Sequence, residues 1–159
     1  MSLKNIYRKE GIFMDYKKIL AKLNELKQVM ENNADSTVAY HKAGQEYDTI
    51  LFENMSFREY TFLVKNMTHE ITTEDDAKLV VASAENKNLS EVVELTDTAQ
   101  LAYVIKWYRQ EKNMTQIDLA RVTRMSQSQI AKVESAKTDI PYSGASKLLK
   151  AVGKPIKLA

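Results

Sequence analysis

The stretch that decides the fold runs Thr115-Gln116-Ile117-Asp118-Leu119-Ala120-Arg121-Val122-Thr123-Arg124-Met125-Ser126-Gln127-Ser128-Gln129-Ile130-Ala131-Lys132-Val133-Glu134. It carries two capping signatures, Thr115 with Asp118 and Ser126 with Gln129. In each, a hydroxyl residue stands three positions before a side chain that can reach back to the hydroxyl residue's amide, and this starts a helix. Leu119 and Ala120 turn inward on the first helix, and Ile130 and Val133 on the second.

Two short capped helices with a small alanine at their crossing describe a helix-turn-helix. Its second helix enters the DNA major groove with its first turn at the base edges. The residue types there suit that task. A glutamine amide pairs a donor with an acceptor, matching adenine N6 and N7, and serine bonds a base edge or a phosphate. Gln127, Ser128 and Lys132 are therefore expected at bases, with Gln129 divided between a base and its capping role. Gln116, at the start of the first helix, is expected on a phosphate, assisted by the helix-terminus amides. Arg124, Lys137 and Thr138 are expected beside the DNA backbone. Thr115 and Ser126, at the two helix starts, complete the DNA-binding set.

The segments Thr115–Ala120 and Met125–Glu134 resemble the Xre/Cro family, the phage-repressor-like helix-turn-helix proteins. Their pattern reads TQ-x-x-LA, then a hydrophobic residue, S-x-x-x-I and E, and the resemblance covers about 60 of the 159 residues. It implies a lambda-repressor-like domain over residues 98–159 and a structural ion pair between Arg109 and Glu134. Two positions depart from the pattern: Arg124 in the turn and Ala136 after the recognition helix stand where the family has glycine. A helix over Ser146–Val152 is expected to stop at Gly153, after which Pro155-Ile156-Lys157-Leu158 alternates like a short terminal strand. A lone strand needs a partner. Family members with this ending resemble HigA-type and HipB-type antitoxins, which implies a homodimer with Leu148, Val152, Ile156 and Leu158 at its seam. The alternative is a tail packed on its own domain.

Upstream of the motif, Leu101, Ile105 and Tyr108 form one face of a further helix, and Asn113 stands where a left-handed residue is needed to end it. Trp107, Tyr103 and Tyr108 read as core and inter-domain packing in preference to a base-stacking platform. The charge changes sign at the same place. Residues 1–97 carry 12 Lys/Arg against 17 Asp/Glu, a net −5, and residues 98–159 carry 11 against 4, a net +7. A basic segment beside an acidic one is the electrostatic footprint of a nucleic-acid module joined to something else.

The acidic part reads as a small helical domain for partner binding or oligomerisation over residues 14–97, after a leader at residues 1–13. Tyr16, Ile19, Leu23, Leu26 and Met30 alternate at spacings of 3 and 4, an amphipathic helix. Asn32–Ser36 is a polar break. Val38–Phe52 is less periodic, and Gly44 weakens it as a helix. Ser56 caps a helix containing Tyr60 and Leu63, and Thr72 opens another whose acids Glu74, Asp75 and Asp76 suit the helix dipole. Ser90 is expected to cap a short helix over Val92 to Leu95.

Composition removes whole classes of function. The 159 residues are 44% hydrophobic and 28% charged, and they include no cysteine, 4 glycines and 2 prolines. A mainly α-helical globular chain follows, without disulfides, thiolate metal sites or thiol nucleophiles. The glycines are too scattered for a phosphate loop, and His41 and His69 belong to no metal-spaced pair. No cofactor or metal is expected, and no apolar run is long enough to span a membrane, so a cytoplasmic protein is expected. The leading expectation is a sequence-specific regulator of a double-stranded DNA operator, an autorepressing antitoxin whose acidic domain neutralises a basic toxin. The alternatives are a phage or mobile-element repressor without a toxin, and an interaction protein that does not bind DNA.

Overall fold

Asp15 starts the first helix by accepting the Lys17 amide at 3.0 Å, and α1 then runs Tyr16–Glu31. The computed structural model describes residues 15–156, which form helices and their connections, with no strand among them. The described residues divide into two compact units, with the boundary between Glu94 and Leu95.

In the first unit, the alternating spacing of α1 buries Ile19, Leu23 and Leu26. Thr37 caps α2 (Val38–Leu51) by accepting the Tyr40 amide at 3.2 Å. This helix is continuous through Gly44, where the sequence suggested weakness, because Ala43, Ile50 and Leu51 are buried as α2 packs on α1 and on the helix Thr73–Ala84. Burial of an amphipathic face outweighs the local cost of one glycine, about 1 kcal/mol. Ser56 caps α3 (Phe57–Lys65), which buries Leu63. Thr72 and Asp75 form a reciprocal capping box on α4 (Thr73–Ala84). A single 3-10 turn follows at Leu89–Glu91, and its cap is Asn88, whose Oδ1 accepts both the amide and the hydroxyl of Ser90. Ser90 is thus the capped residue and not the cap.

Asp76 also differs from expectation. Its carboxylate is buried and accepts the hydroxyl of Tyr47 at 2.5 Å and that of Tyr60 at 2.8 Å. The helix dipole therefore accounts for only part of the acidic run. Asp76 is a buried polar junction between α2, α3 and α4.

The second unit consists of α5 (Asp97–Glu111), α6 (Gln116–Thr123), α7 (Gln127–Glu134) and α8 (Tyr142–Ala151). Ile105, Leu119, Ala120, Ile130, Val133, Leu148 and Val152 form its core. The last helix begins at Tyr142, four residues before the expected Ser146, because Pro141 ends an extended approach and no side chain caps the start. Leu148 and Val152 were expected at a dimer seam, but they are 0% and 1% exposed, packed inside their own chain. Lys154–Ile156 has no regular structure, and Ile156 is half-buried. The rest of the expected strand, including Leu158, lies outside the described residues, as does the leader at residues 1–13.

All four helices of this unit end alike. A residue in the left-handed region follows each helix: Asn113 (φ 54), Arg124 (φ 57), Ala136 (φ 55) and Gly153 (φ 80). The next amide then returns to the last turn, as in Met125 to Ala120 O at 3.1 Å and Lys137 to Lys132 O at 3.0 Å. This motif satisfies carbonyls that would otherwise be left open, and glycine is its usual residue. Arg124 and Ala136 adopt the conformation against their intrinsic preference. No helix among the described residues is long and apolar enough to cross a membrane.

Candidate nucleic-acid interface

Both capping boxes close as their sequences imply. Thr115 Oγ1 accepts the Asp118 amide at 3.1 Å, and Asp118 Oδ2 accepts the Thr115 amide at 2.8 Å. These bonds from the Thr115 backbone and side chain hold the Asp118 carboxyl below its ordinary value. Ser126 Oγ accepts the Gln129 amide at 3.1 Å, and Gln129 Oε1 accepts the Ser126 amide at 2.8 Å. The short turn through Arg124 and Met125 thus leads from an α6 end closed by the Met125 amide on Ala120 O, at 3.1 Å, into the capped start of α7.

A buried ion pair joins the start of α6 to the end of α7. Arg109 Nε donates to Glu134 Oε1 at 2.5 Å and Nη2 to Oε2 at 3.0 Å, while Nη1 donates to the Met114 carbonyl at 2.6 Å. One guanidinium therefore ties α5, the α5–α6 connection and the end of α7 together. Its fork geometry is what a lysine would lack.

The pair also orders the surface above it. The Glu134 carboxylate only accepts, so Gln116 must turn its Nε2 toward it, at 3.0 Å. Gln116 Oε1 then faces outward and accepts from Gln127 Nε2 at 3.3 Å. A fixed donor-to-acceptor order runs Gln127 to Gln116 to Glu134, anchored on Arg109. Gln116 was expected to reach for a phosphate, but it is half-buried here and its oxygen and one N–H already have protein partners. Sequence alone missed this role because a glutamine amide can face either way and the spacing of Gln116 and Glu134 does not select one.

The remaining expected residues are spread around this centre. Gln127, Ser128, Gln129 and Lys132 are exposed on α7. Thr115 and Ser126 are exposed at the helix starts, and Arg124 is exposed in the turn. Lys137 is exposed beyond α7, while Thr138 is half-buried and donates its hydroxyl to the Asp139 carbonyl at 3.2 Å. Among the described residues, no group of three or more His, Asp or Glu is placed to hold a metal ion.

No curated protein and no solved structure matches this chain. Residues 105–158 match the family model of the helix-turn-helix. The second unit therefore carries a helix-turn-helix domain, a regulatory and not a catalytic module, and this suggests a DNA-binding transcription regulator.

Proposed function

We propose that the protein is a sequence-specific regulator that binds a two-fold DNA operator as a homodimer, and that its acidic unit holds a basic protein partner, as in an autorepressing antitoxin. The observation that carries the DNA reading is the first turn of α7. It is exposed, rich in amide and hydroxyl groups, and backed by a buried ion pair that holds Gln127 through Gln116. Gln127, Ser128 and Lys132 take base edges. Thr115, Ser126, Arg124, Lys137, Thr138 and the second N–H of Gln116 take the backbone, where contacts position without specifying. The net +7 of residues 98–159 supplies the attraction to DNA.

The partner reading rests on the net −5 of residues 1–97, a charge that favours and steers a basic protein. With Leu148 and Val152 in the core, a seam at this end of the chain rests on Ile156 and Leu158.

Binding of the full chain to the duplex upstream of its own gene tests the DNA reading. Affinity should fall steeply with salt, with a log–log slope of about −0.9 per neutralised phosphate, and should exceed that for a random duplex. A flat salt dependence, or equal affinity for random DNA, overturns it. For the partner, the product of the neighbouring reading frame should form a salt-sensitive complex with the full chain; no complex overturns the antitoxin role.

A further inference from the structure

We propose that Gln129 is a donor-only reader of the base edge, selecting a guanine or thymine acceptor where an unrestrained glutamine selects adenine. The inference rests on the DNA reading above and goes further into the chemistry of that site.

A backbone N–H only donates. The Ser126 amide lies 2.8 Å from the Gln129 side-chain amide, so the atom facing it must be Oε1. The second half of the capping box, Ser126 Oγ accepting from Gln129 N at 3.1 Å, fixes the same turn from the other side. The Gln129 amide is therefore drawn back over the start of α7, the end of a recognition helix that meets the bases. Its oxygen is engaged there and its Nε2 is turned away. Gln129 is exposed, and Nε2 makes no hydrogen bond among the described residues.

With Oε1 drawn back onto the Ser126 amide, the part of the Gln129 amide turned outward is its two N–H groups, and that makes a specific pattern. Adenine needs an acceptor for N6 and a donor for N7, which Gln129 cannot offer together. Guanine presents O6 and N7, both acceptors, and thymine presents O4. Gln127, on the same turn, has the other presentation. Its Nε2 is turned to Gln116 Oε1, which leaves an oxygen and one N–H for a base. Two glutamines in one helical turn thus carry different complements, one fixed by a buried ion pair and the other by a backbone amide.

The test is selection of a randomised double-stranded DNA library by the full-length chain, with Gln129→Glu beside wild type. A carboxylate still accepts the Ser126 amide, so the capping box and the thermal midpoint should persist. Both donors are gone, and a carboxylate accepts from the cytosine amino group. One base pair per half-site should change from guanine or thymine to cytosine or adenine, with a preference on the order of tenfold. The adenine assigned to Gln127 should be retained. Gln129→Met, which removes the donors without adding charge, should lose the guanine or thymine preference at that same base pair. An unchanged consensus would show that Gln129 is a cap alone, and uniform weakening at every sequence would show a charge effect on the backbone; either overturns the inference. A wild-type chain that selects no consensus overturns the parent reading and this one with it, whereas a wild-type consensus untouched by both variants overturns this one alone.

Discussion

Arg109 and Glu134 form a two-point ion pair in which both side chains are buried, at 9% and 3% exposure, while Glu134 also accepts from Gln116. The pair thus has two separable effects: it satisfies charge in the interior, and it sets the orientation of the amides above it. Glu134→Ala leaves a guanidinium buried without its partner and should cost about 3–5 kcal/mol in thermal unfolding. Replacing both residues with apolar groups of similar volume, Arg109→Met with Glu134→Leu, should recover most of that loss. Operator binding should stay weak in the recovered protein, because Gln116 no longer has its acceptor. A double variant that binds like wild type would show that the pair is structural only.

The bond from Gln127 to Gln116 predicts energetic coupling. Gln127→Ala should cost about 1–3 kcal/mol at one base pair and little on random DNA. Gln116→Ala should weaken discrimination at that same base pair, because Gln127 loses the group that holds it. Measured together in operator titrations, the two should be non-additive by 0.5 kcal/mol or more, in the range for side chains that touch. Strict additivity would mean that the contact of 3.3 Å has no effect on recognition.

Arg124 and Ala136 hold the left-handed conformation at φ 57 and 55 without the freedom of glycine. Arg124→Gly and Ala136→Gly should each raise stability by about 1 kcal/mol, since relief of backbone strain exceeds the added entropy of the unfolded chain. The two sites end different helices, so their effects should sum. Arg124→Gly should in addition weaken binding to all sequences alike if the arginine meets the DNA backbone. Urea unfolding and titration of a random duplex separate the two effects.

The parts of this fold that sequence made legible are those fixed within one helical turn. Thr115 with Asp118 and Ser126 with Gln129 are three residues apart, and both boxes close. Asn113 ends α5 in the conformation that its side chain tolerates. What stayed hidden depends on distant neighbours. The resemblance placed Leu148 and Val152 at a dimer seam, but they are buried in a core that they share with Ile105 and Leu119 of the same chain. The start of α8 carries no capping side chain and so gave no signal before Ser146. At the interface, the residue types of α7 were readable. The direction of each amide was not, since it is inherited from Glu134, far along the chain from Gln116.

Asp75 and Asp76 are adjacent in sequence and should titrate with opposite effects on stability. Burial works to raise the Asp75 carboxyl, but the Thr72 amide and hydroxyl and His69 outweigh it, and the group lies below its ordinary value of 3.8. Burial raises Asp76 above the same value despite hydrogen bonds from Tyr47 and Tyr60, with Asp75 adding repulsion and Lys27 attraction. A depressed carboxyl stabilises the fold above its unfolded value, and that stability is lost as pH falls through the folded value. A raised carboxyl behaves in reverse: its contribution is present below the unfolded value and is lost as pH rises through the folded one. In urea unfolding followed by helical circular dichroism, the advantage of wild type over Asp75→Asn should therefore grow as pH climbs toward 3.8 and then level off. Its advantage over Asp76→Asn should shrink as pH climbs above 3.8. Slopes of the same sign for the two variants would show that the Tyr47 and Tyr60 hydroxyls offset the burial of Asp76 in full.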